Sequence, residues 1–234
     1  LADPRQLIRT LVEAGANAFL LRRGLAKFVA LEYVGKAGLV LRVTCATSLR
    51  NKVIEQIYTT SVEDALRLDA AAVIPTIFVG SEREPEDLRH FGLLATICEE
   101  WGMPLGAEPL PVGSKETEPF EGPYTVDEVA VACRVCAEEG ADFIKTYYTG
   151  DPESFKKVVK NCPVPIVIMG GAKTGSVREM FDMVKGAMDA GAAGICMGRK
   201  IWQSDNPVIT LKALAKIVRE KTDVDAAMAE LRKA

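Results

Sequence analysis

A single lysine lies within an otherwise apolar and aromatic run, Ala141-Asp-Phe-Ile-Lys145-Thr-Tyr-Tyr148. Such a run predicts a buried strand, and the period of two along a strand places Phe143, Lys145 and Tyr147 on one face. If that face is buried, desolvation disfavours the ammonium and leaves a neutral amine, which can attack a carbonyl carbon as a nucleophile. The alternative is a lysine whose side chain extends from the strand end to water.

Two later apolar runs end in glycine. One ends in Gly170-Gly171, and the last one ends in Gly198-Arg199. Exposed glycine amides and an arginine are groups that bind a phosphate dianion well. We therefore predict that these four residues bind a substrate phosphate. The alternative is that the glycines only allow tight turns.

Two further charged residues end apolar runs. Glu108 follows Leu105-Gly-Ala, at the predicted C-terminal end of a strand, and Arg42 ends an earlier strand. Glu108 could be a general acid or base, or the ion-pair partner of an arginine at the same rim. Arg42 could hold substrate hydroxyl groups or be a solvated loop residue. Tyr147, on the predicted face of Lys145, is a candidate for proton transfer or for positioning the lysine.

The elements that would position these residues recur along the chain. A helix end, a glycine and a short apolar strand follow one another at Glu13-Ala-Gly-Ala-Asn, at Glu138-Glu-Gly-Ala-Asp and at Asp189-Ala-Gly-Ala-Ala. Because glycine readily takes the left-handed conformation after a helix, this junction indicates a repeated βα unit. The predicted strands lie near 17–22, 38–44, 71–79, 104–108, 141–148, 165–169 and 193–197, and the predicted helices include 84–101, 125–139, 152–160, 176–190 and 207–219.

Seven continuous apolar strands with intervening helices predict an α/β fold, a (β/α)8 TIM barrel formed as one domain by residues 1–234. The barrel needs eight strands, and since the chain starts in a helix, we expect the first strand to precede Leu1. Residues 112–124 are expected to form a long loop. The alternative is an open doubly wound sheet, but no GxGxxG follows the first visible strand, so its dinucleotide-binding version has no support. In barrels the loops after the last two strands often bind phosphate, in agreement with the glycine loops.

The composition excludes several classes of function. The 234 residues contain 29 lysines and arginines and 32 acidic residues, a net charge of −3, which argues against nucleic-acid or electrostatic membrane binding. The only histidine is His90, so we expect no metal site and no serine or cysteine hydrolase triad. Irregularly spaced cysteines are expected to be reduced thiols, and the N-terminus has no secretory pattern, so we expect a cytoplasmic protein.

Several motifs resemble those of the archaeal-type class I fructose-bisphosphate aldolase superfamily. They are Ile144-Lys145-Thr-Tyr-Tyr148, Cys162-Pro-Val-Pro-Ile-Val167, Gly170-Gly171 and Met197-Gly-Arg199-x-Ile-Trp-Gln-Ser204. The resemblance covers essentially the whole chain and, in motif wording, is strongest with the phospho-autoinducer thiolase branch. It implies a TIM barrel, a Schiff base on Lys145, phosphate binding by Gly170, Gly171, Gly198 and Arg199, chemistry without a metal, and a homo-oligomer, usually a decameric ring.

Two features depart from the family pattern. The family carries an Asp-His-Gly motif at the end of the first strand, and this motif is absent from the sequence. The aldolases also carry a tyrosine acid/base after the fifth strand, where this chain reads Glu108-Pro-Leu-Pro111. The thiolase branch lacks that tyrosine too. These departures weigh against the standard fructose-bisphosphate reaction.

The sequence therefore predicts a class I aldolase-type lyase that cleaves or forms a carbon–carbon bond in a small phosphorylated ketose. Lys145 is expected to form the imine, with Tyr147 and Glu108 as further catalytic candidates, and no bound cofactor is expected. The first alternative is acyl transfer from a phosphorylated diketone to coenzyme A, which would then be a co-substrate. The second is a barrel that binds a phosphosugar without turnover. No nucleic acid or membrane is expected as a partner.

Overall fold

The structure is a computed structural model that describes residues 3–46, 55–112, 124–170 and 175–231. Its strands are β1 (Ala18–Arg22), β2 (Gly38–Arg42), β3 (Thr44–Cys45), β4 (Ile57–Tyr58), β5 (Ala72–Ile74), β6 (Thr76–Val79), β7 (Gly106–Pro111), β8 (Phe143–Thr146), β9 (Ile166–Met169) and β10 (Gly194–Cys196). Its helices are α1 (Pro4–Glu13), α2 (Arg23–Phe28), α3 (Ala30–Tyr33), α4 (Val62–Arg67), α5 (Glu84–Trp101), α6 (Val126–Glu138), α7 (Pro152–Asn161), α8 (Val177–Asp189), α9 (Arg199–Trp202), α10 (Pro207–Glu220) and α11 (Val224–Leu231).

Apart from the antiparallel β3–β4 hairpin, the described strands lie side by side in chain order and run parallel. Strands β1, β2 and β5 form one sheet, and β6 to β10 form a second one. The single strand predicted near 71–79 is divided by Pro75 into β5 and β6, because proline has no amide hydrogen to donate to the neighbouring strand. The isolated bridge between Val73 and Leu105 joins the two sheets, so the order is continuous from β1 to β10. This is the strand order of a (β/α) barrel.

All seven strands predicted from the apolar runs are present, and α5 has the predicted bounds. One boundary was wrong: β7 extends to Pro111, so Glu108 lies in the middle of its strand rather than at its end. The β3–β4 hairpin and the short helices α2 and α3 were not predicted. The predicted loop over 112–124 lies outside the described residues except at its two ends.

No described strand lies between β1 and β10, the first and last strands in the order. A cavity of about 1310 Å³ opens there, lined by the whole of β1, by residues 193–198 and by apolar side chains of α1 and α10. The cavity continues into the space that the parallel strands enclose, where it reaches Glu108 and Lys145. The strand expected before Leu1 stays a prediction.

Several helices that follow strands begin at a side chain that caps the helix. In each case the oxygen of the capping residue accepts a hydrogen bond from the amide three residues further on, and the capping residues are Ser61, Thr125, Asp151 and Ser176. The helices pack around the strands, and one cluster of buried apolar side chains contains residues from α1 to α11. None of the described helices is long and apolar enough to cross a membrane.

Candidate active site

A row of polar side chains crosses three neighbouring strands. Thr76 of β6 pairs in register with Glu108 of β7, and the register of β7 with β8 brings Lys145 next to Glu108. Arg42 reaches the same carboxylate from β2. We call Arg42, Thr76, Glu108 and Lys145 the polar layer. The period of two along a strand explains why these side chains share the interior face.

Glu108 is the centre of the polar layer. Its Oε1 accepts a hydrogen bond from Lys145 Nζ at 2.6 Å, and its Oε2 accepts one from Arg42 Nη1 at 2.5 Å and one from Thr76 Oγ1 at 2.8 Å. The side chains of Lys145, Glu108 and Arg42 are only 12%, 8% and 17% exposed. Two part-buried cations therefore share one buried carboxylate.

These contacts decide between the alternatives for Lys145 and Glu108. The Lys145 side chain does not extend from the strand end into open water: it is 12% exposed and lines the cavity. Its surroundings, however, are not simply apolar, because Nζ donates a hydrogen bond to the Glu108 carboxylate. Glu108 forms an ion pair with Arg42, which was one of the two alternatives for this residue, and it forms a second ion pair with Lys145.

The charge state of Glu108 follows from competing effects. Burial alone would raise the pKa of this carboxyl group, since desolvation disfavours the charged form. The charges of Lys145 and Arg42, with hydrogen bonds from Lys145 and Thr76, act in the opposite direction and hold the pKa below its ordinary value. Glu108 is therefore a carboxylate at neutral pH.

Apolar side chains form the next inward-facing layer of the same strands. Tyr147, two residues beyond Lys145, packs on a small buried cluster, and we call these side chains together the apolar layer: Phe78, Leu110, Val112, Tyr147 and Met169. The rings of Tyr147 and Tyr124 lie 5.1 Å apart between centroids. Burial is the main cause that raises the pKa of Tyr147, so its phenol keeps its proton at neutral pH. The shared face predicted for Lys145 and Tyr147 agrees with this arrangement.

The two predicted phosphate loops come together at the ends of β9 and β10. A Cβ atom on Gly170 would lie 3.2 Å from Met197 Cγ, so the ends of the two strands are in contact. Gly170, Gly198 and Arg199 line the same cavity as Lys145. The ring of Trp202 covers Gly198 so closely that a side chain there would collide with it. Gly171 lies outside the described residues.

Some cavity residues were not singled out from the sequence. Thr76, which holds Glu108, could have been found from its place two residues before Phe78 on a buried strand. Cys196 of β10 lines the cavity, and burial is the main cause that raises the pKa of its thiol. Arg22 and Gln56 also line the cavity, but only the register of the short hairpin shows where Gln56 lies.

Comparison with known proteins gives relatives over most of the chain. A 2-amino-3,7-dideoxy-D-threo-hept-6-ulosonate synthase from Archaeoglobus fulgidus is 35% identical over 212 residues, which cover 91% of this chain and 77% of the relative. A 3-hydroxy-5-phosphonooxypentane-2,4-dione thiolase from Shigella flexneri serotype 5b is also 35% identical over 212 residues, with 91% and 78% covered.

Solved structures give the same result. A structure of an archaeal fructose-1,6-bisphosphate aldolase, with its catalytic lysine covalently bound to the carbinolamine intermediate of the substrate, superposes with a TM-score of 0.84. It is 32% identical, and the match covers 93% of this chain and 84% of that one. The expected α/β fold of the TIM-barrel aldolases is confirmed, as is the resemblance to the archaeal-type aldolase superfamily with its thiolase branch. The model of the DeoC/LacD family of aldolases matches residues 1–204, and this chain belongs to that family.

Proposed function

We propose that the protein is a lysine-dependent lyase that forms or cleaves a carbon–carbon bond in a small phosphorylated ketose. One observation carries the proposal: the Lys145 amine lies in the cavity and donates a hydrogen bond to the Glu108 carboxylate. The relative whose lysine is bound to a carbinolamine supports the same chemistry for Lys145. All catalytic groups in the proposal are side chains of this chain, without a metal or a bound cofactor.

The first step is formation of the imine. Glu108 accepts a proton from the Lys145 ammonium, and the neutral amine then adds to the substrate ketone to give a carbinolamine. Protonated Glu108 returns its proton to the carbinolamine hydroxyl group, which leaves as water. The product is a protonated imine beside the Glu108 carboxylate, whose charge stabilises it.

The second step breaks the carbon–carbon bond. The protonated imine accepts the electron pair of that bond, and the hydroxyl group on the departing carbon loses a proton as it becomes an aldehyde. The remaining enamine is then protonated on carbon, and hydrolysis of the imine releases the ketone and regenerates Lys145. Tyr147 and Glu108 are the candidates for the proton transfers, since both lie beside Lys145 on the interior face.

The phosphate fixes the substrate. We assign its binding to Gly170, Gly171, Gly198 and Arg199, which follow β9 and β10, the next two strands after β8 in the order. A bound phosphate holds the ketone near Lys145 and so removes part of the entropic cost of reaching the transition state.

A second candidate function is acyl transfer from a phosphorylated diketone to coenzyme A. The thiolase from Shigella flexneri is as similar to this chain as the synthase is. In addition, this chain has no tyrosine in Glu108-Pro-Leu-Pro111, where the resemblance leads one to expect the acid/base tyrosine of the aldolases. Leu110 in this stretch is buried and cannot exchange a proton. The same imine on Lys145 would serve this reaction, and only the acceptor would differ.

The test is a rate measurement with dihydroxyacetone phosphate and glyceraldehyde, in the presence of a chelator, with and without coenzyme A. We expect condensation that needs neither metal nor coenzyme A, and a loss of about 10⁴-fold or more in the Lys145→Met variant, since the nucleophile is removed. The matched control is Lys200→Met, because Lys200 lines the same cavity but has no part in the proposal. Retained turnover in Lys145→Met would contradict the imine mechanism.

A further inference from the structure

Two tyrosines form a pair that leads out of the cavity. The rings of Tyr147 and Tyr124 lie 5.1 Å apart between centroids, with 35° between their planes, and a hydrogen bond joins their hydroxyl groups. Tyr147 lines the cavity, as Lys145 does, whereas Tyr124 is not part of its lining. Both side chains are part-buried, and Tyr124 packs on the main apolar core. The pair therefore leads from the cavity towards the exposed start of α6.

The start of α6 fixes the position of Tyr124. The next residue, Thr125, caps this helix: its Oγ1 accepts a hydrogen bond from the Glu128 amide at 3.2 Å, and its own amide donates one to Glu128 Oε2 at 2.7 Å. These two reciprocal bonds hold the backbone that carries the Tyr124 side chain. Thr125 is exposed, so the phenol of Tyr124 is held at a fixed point close to solvent.

The hydrogen bond between the phenols has a direction. Burial is the main cause that raises the pKa of both groups, so both keep their protons at neutral pH. The hydrogen bond raises the pKa of Tyr147 further and lowers that of Tyr124, which is the pattern of a Tyr147 hydroxyl that donates and a Tyr124 oxygen that accepts. A neutral phenol can take up a proton only if it gives its own away in the same event. Tyr124 is the group placed to receive that proton.

Glu108 is already engaged when the reaction reaches carbon. Its two oxygens accept hydrogen bonds from the other three residues of the polar layer. In the proposed reaction a hydroxyl group on the departing carbon loses a proton, and the enamine carbon later gains one. After burial and the neighbouring phenol, the charge of Glu108 raises the pKa of Tyr147 and the charge of Arg199 lowers it, so this phenol lies within electrostatic reach of both. Tyr147 therefore lies between the polar layer and the predicted phosphate loop, where these proton transfers take place.

We propose that Tyr147 and Tyr124 form a relay that carries one proton between the substrate and water. When the carbon–carbon bond breaks, the hydroxyl group on the departing carbon gives its proton to Tyr147 Oη, the Tyr147 proton passes to Tyr124 Oη, and the Tyr124 proton passes to water. When the enamine is protonated on carbon, each proton moves one place in the opposite direction, so both phenols are neutral after each turnover. Tyr124 touches no substrate and acts through Tyr147, as a positioning residue. The relay rests on the proposed function, because it assigns the proton transfers of that reaction.

Deuterium exchange into dihydroxyacetone phosphate tests the relay without any acceptor. In D2O the imine on Lys145 interconverts with the enamine, and NMR detects each solvent deuteron that reaches carbon. Tyr124→Phe keeps the ring contact but cuts the path to water, so Tyr147 returns the same proton to carbon. We expect kcat of exchange to fall about tenfold, with KM within about twofold of the wild-type value. Tyr148→Phe is the matched control and should not change exchange, because the Tyr148 ring packs on Phe155 and does not line the cavity.

A double variant distinguishes a relay from a loss of packing. If both phenols act in one path, Tyr124→Phe costs nothing more once Tyr147→Phe has cut that path. Exchange by the double variant should then lie within about twofold of exchange by Tyr147→Phe alone, whereas two independent losses would multiply. Exchange at the wild-type rate in either single variant, or multiplied losses in the double variant, would overturn the relay.

Borohydride trapping in the same proteins separates failure of the relay from failure of the proposed function. The adduct of dihydroxyacetone phosphate on Lys145 needs the imine but no proton transfer to carbon, so we expect Tyr124→Phe to form it at the wild-type yield. An adduct together with unchanged exchange in Tyr124→Phe, or with no exchange in the wild type, would overturn the relay and leave the imine on Lys145 standing. Absence of the adduct from the wild type would overturn both.

Discussion

The polar layer and the apolar layer are built on the same strands, two residues apart, and contain opposite chemistry. In β7 the step from Glu108 to Leu110, and at the end of β8 the step from Lys145 to Tyr147, leads from a charged side chain to one packed among apolar groups. Buried charges contribute little net stability even when paired, whereas buried apolar side chains contribute about 1.5–3 kcal/mol each. The apolar layer thus stabilises the ends of these strands.

The largest expected effect on kcat is that of a substitution of Glu108 in the polar layer. Glu108→Gln keeps the size of the side chain and an oxygen for Thr76 and Arg42, but it cannot take the proton of Lys145. We expect kcat to fall about 10²- to 10⁴-fold, the usual contribution of a general acid or base. The matched control is Glu138→Gln, since Glu138 is an exposed partner of Arg134 on α6. Activity of Glu108→Gln within threefold of the control would assign Glu108 to ion pairing alone.

The same variant tests how the polar layer affects stability. Removing the negative charge leaves the part-buried cations of Lys145 and Arg42 without their carboxylate partner, so we expect a loss of about 3 kcal/mol in the free energy of unfolding at neutral pH. Urea denaturation of both proteins measures it.

The loss should depend on pH in one direction. The pKa of Glu108 is lower in the folded chain than its ordinary value of 4.5, so the folded state binds this proton less readily than the unfolded state. The stabilisation is therefore complete above the ordinary value and is lost as the pH falls through the folded value. The difference between wild type and Glu108→Gln should shrink in acid. A difference that grows as the pH falls would contradict the lowered pKa.

A substitution of Leu110 tests the apolar layer, where we expect a large effect on stability and a smaller one on kcat. Its side chain is 1% exposed, so Leu110→Ala should lower the free energy of unfolding by about 2–5 kcal/mol. Since Leu110 exchanges no proton, kcat of the folded variant should fall less than in Glu108→Gln. Equal losses of kcat in the two variants would show that the layers do not differ in function.

The smallest expected effect is that of Tyr147→Phe. This change removes only a phenol hydroxyl and leaves the packing on the apolar layer, so we expect stability to change by about 1 kcal/mol or less. A loss of about tenfold in kcat would agree with a supporting proton donor. Loss as large as that of Glu108→Gln would make Tyr147 the main acid or base of the reaction.

The sequence predicted the strands because each one is a continuous apolar run between recognisable helix ends, and it placed Lys145 and Tyr147 on one face by period alone. It could not place Glu108 against Lys145, since that contact depends on the register of two strands separated by a helix and a long connection. It placed Glu108 at a strand end, yet the strand continues through Pro109 to Pro111. The β3–β4 hairpin has only two residues in each strand, too few for any periodic signal, so Gln56 was missed.

The most direct test of the central claim is borohydride reduction in the presence of dihydroxyacetone phosphate, followed by intact-mass measurement and peptide mapping. Borohydride reduces an imine to a stable amine, so the modified residue identifies the nucleophile. We predict one adduct per chain on Lys145, present in Lys200→Met and absent from Lys145→Met. An adduct on another lysine, or on none with either dihydroxyacetone phosphate or a phosphorylated diketone, would contradict imine chemistry at Lys145.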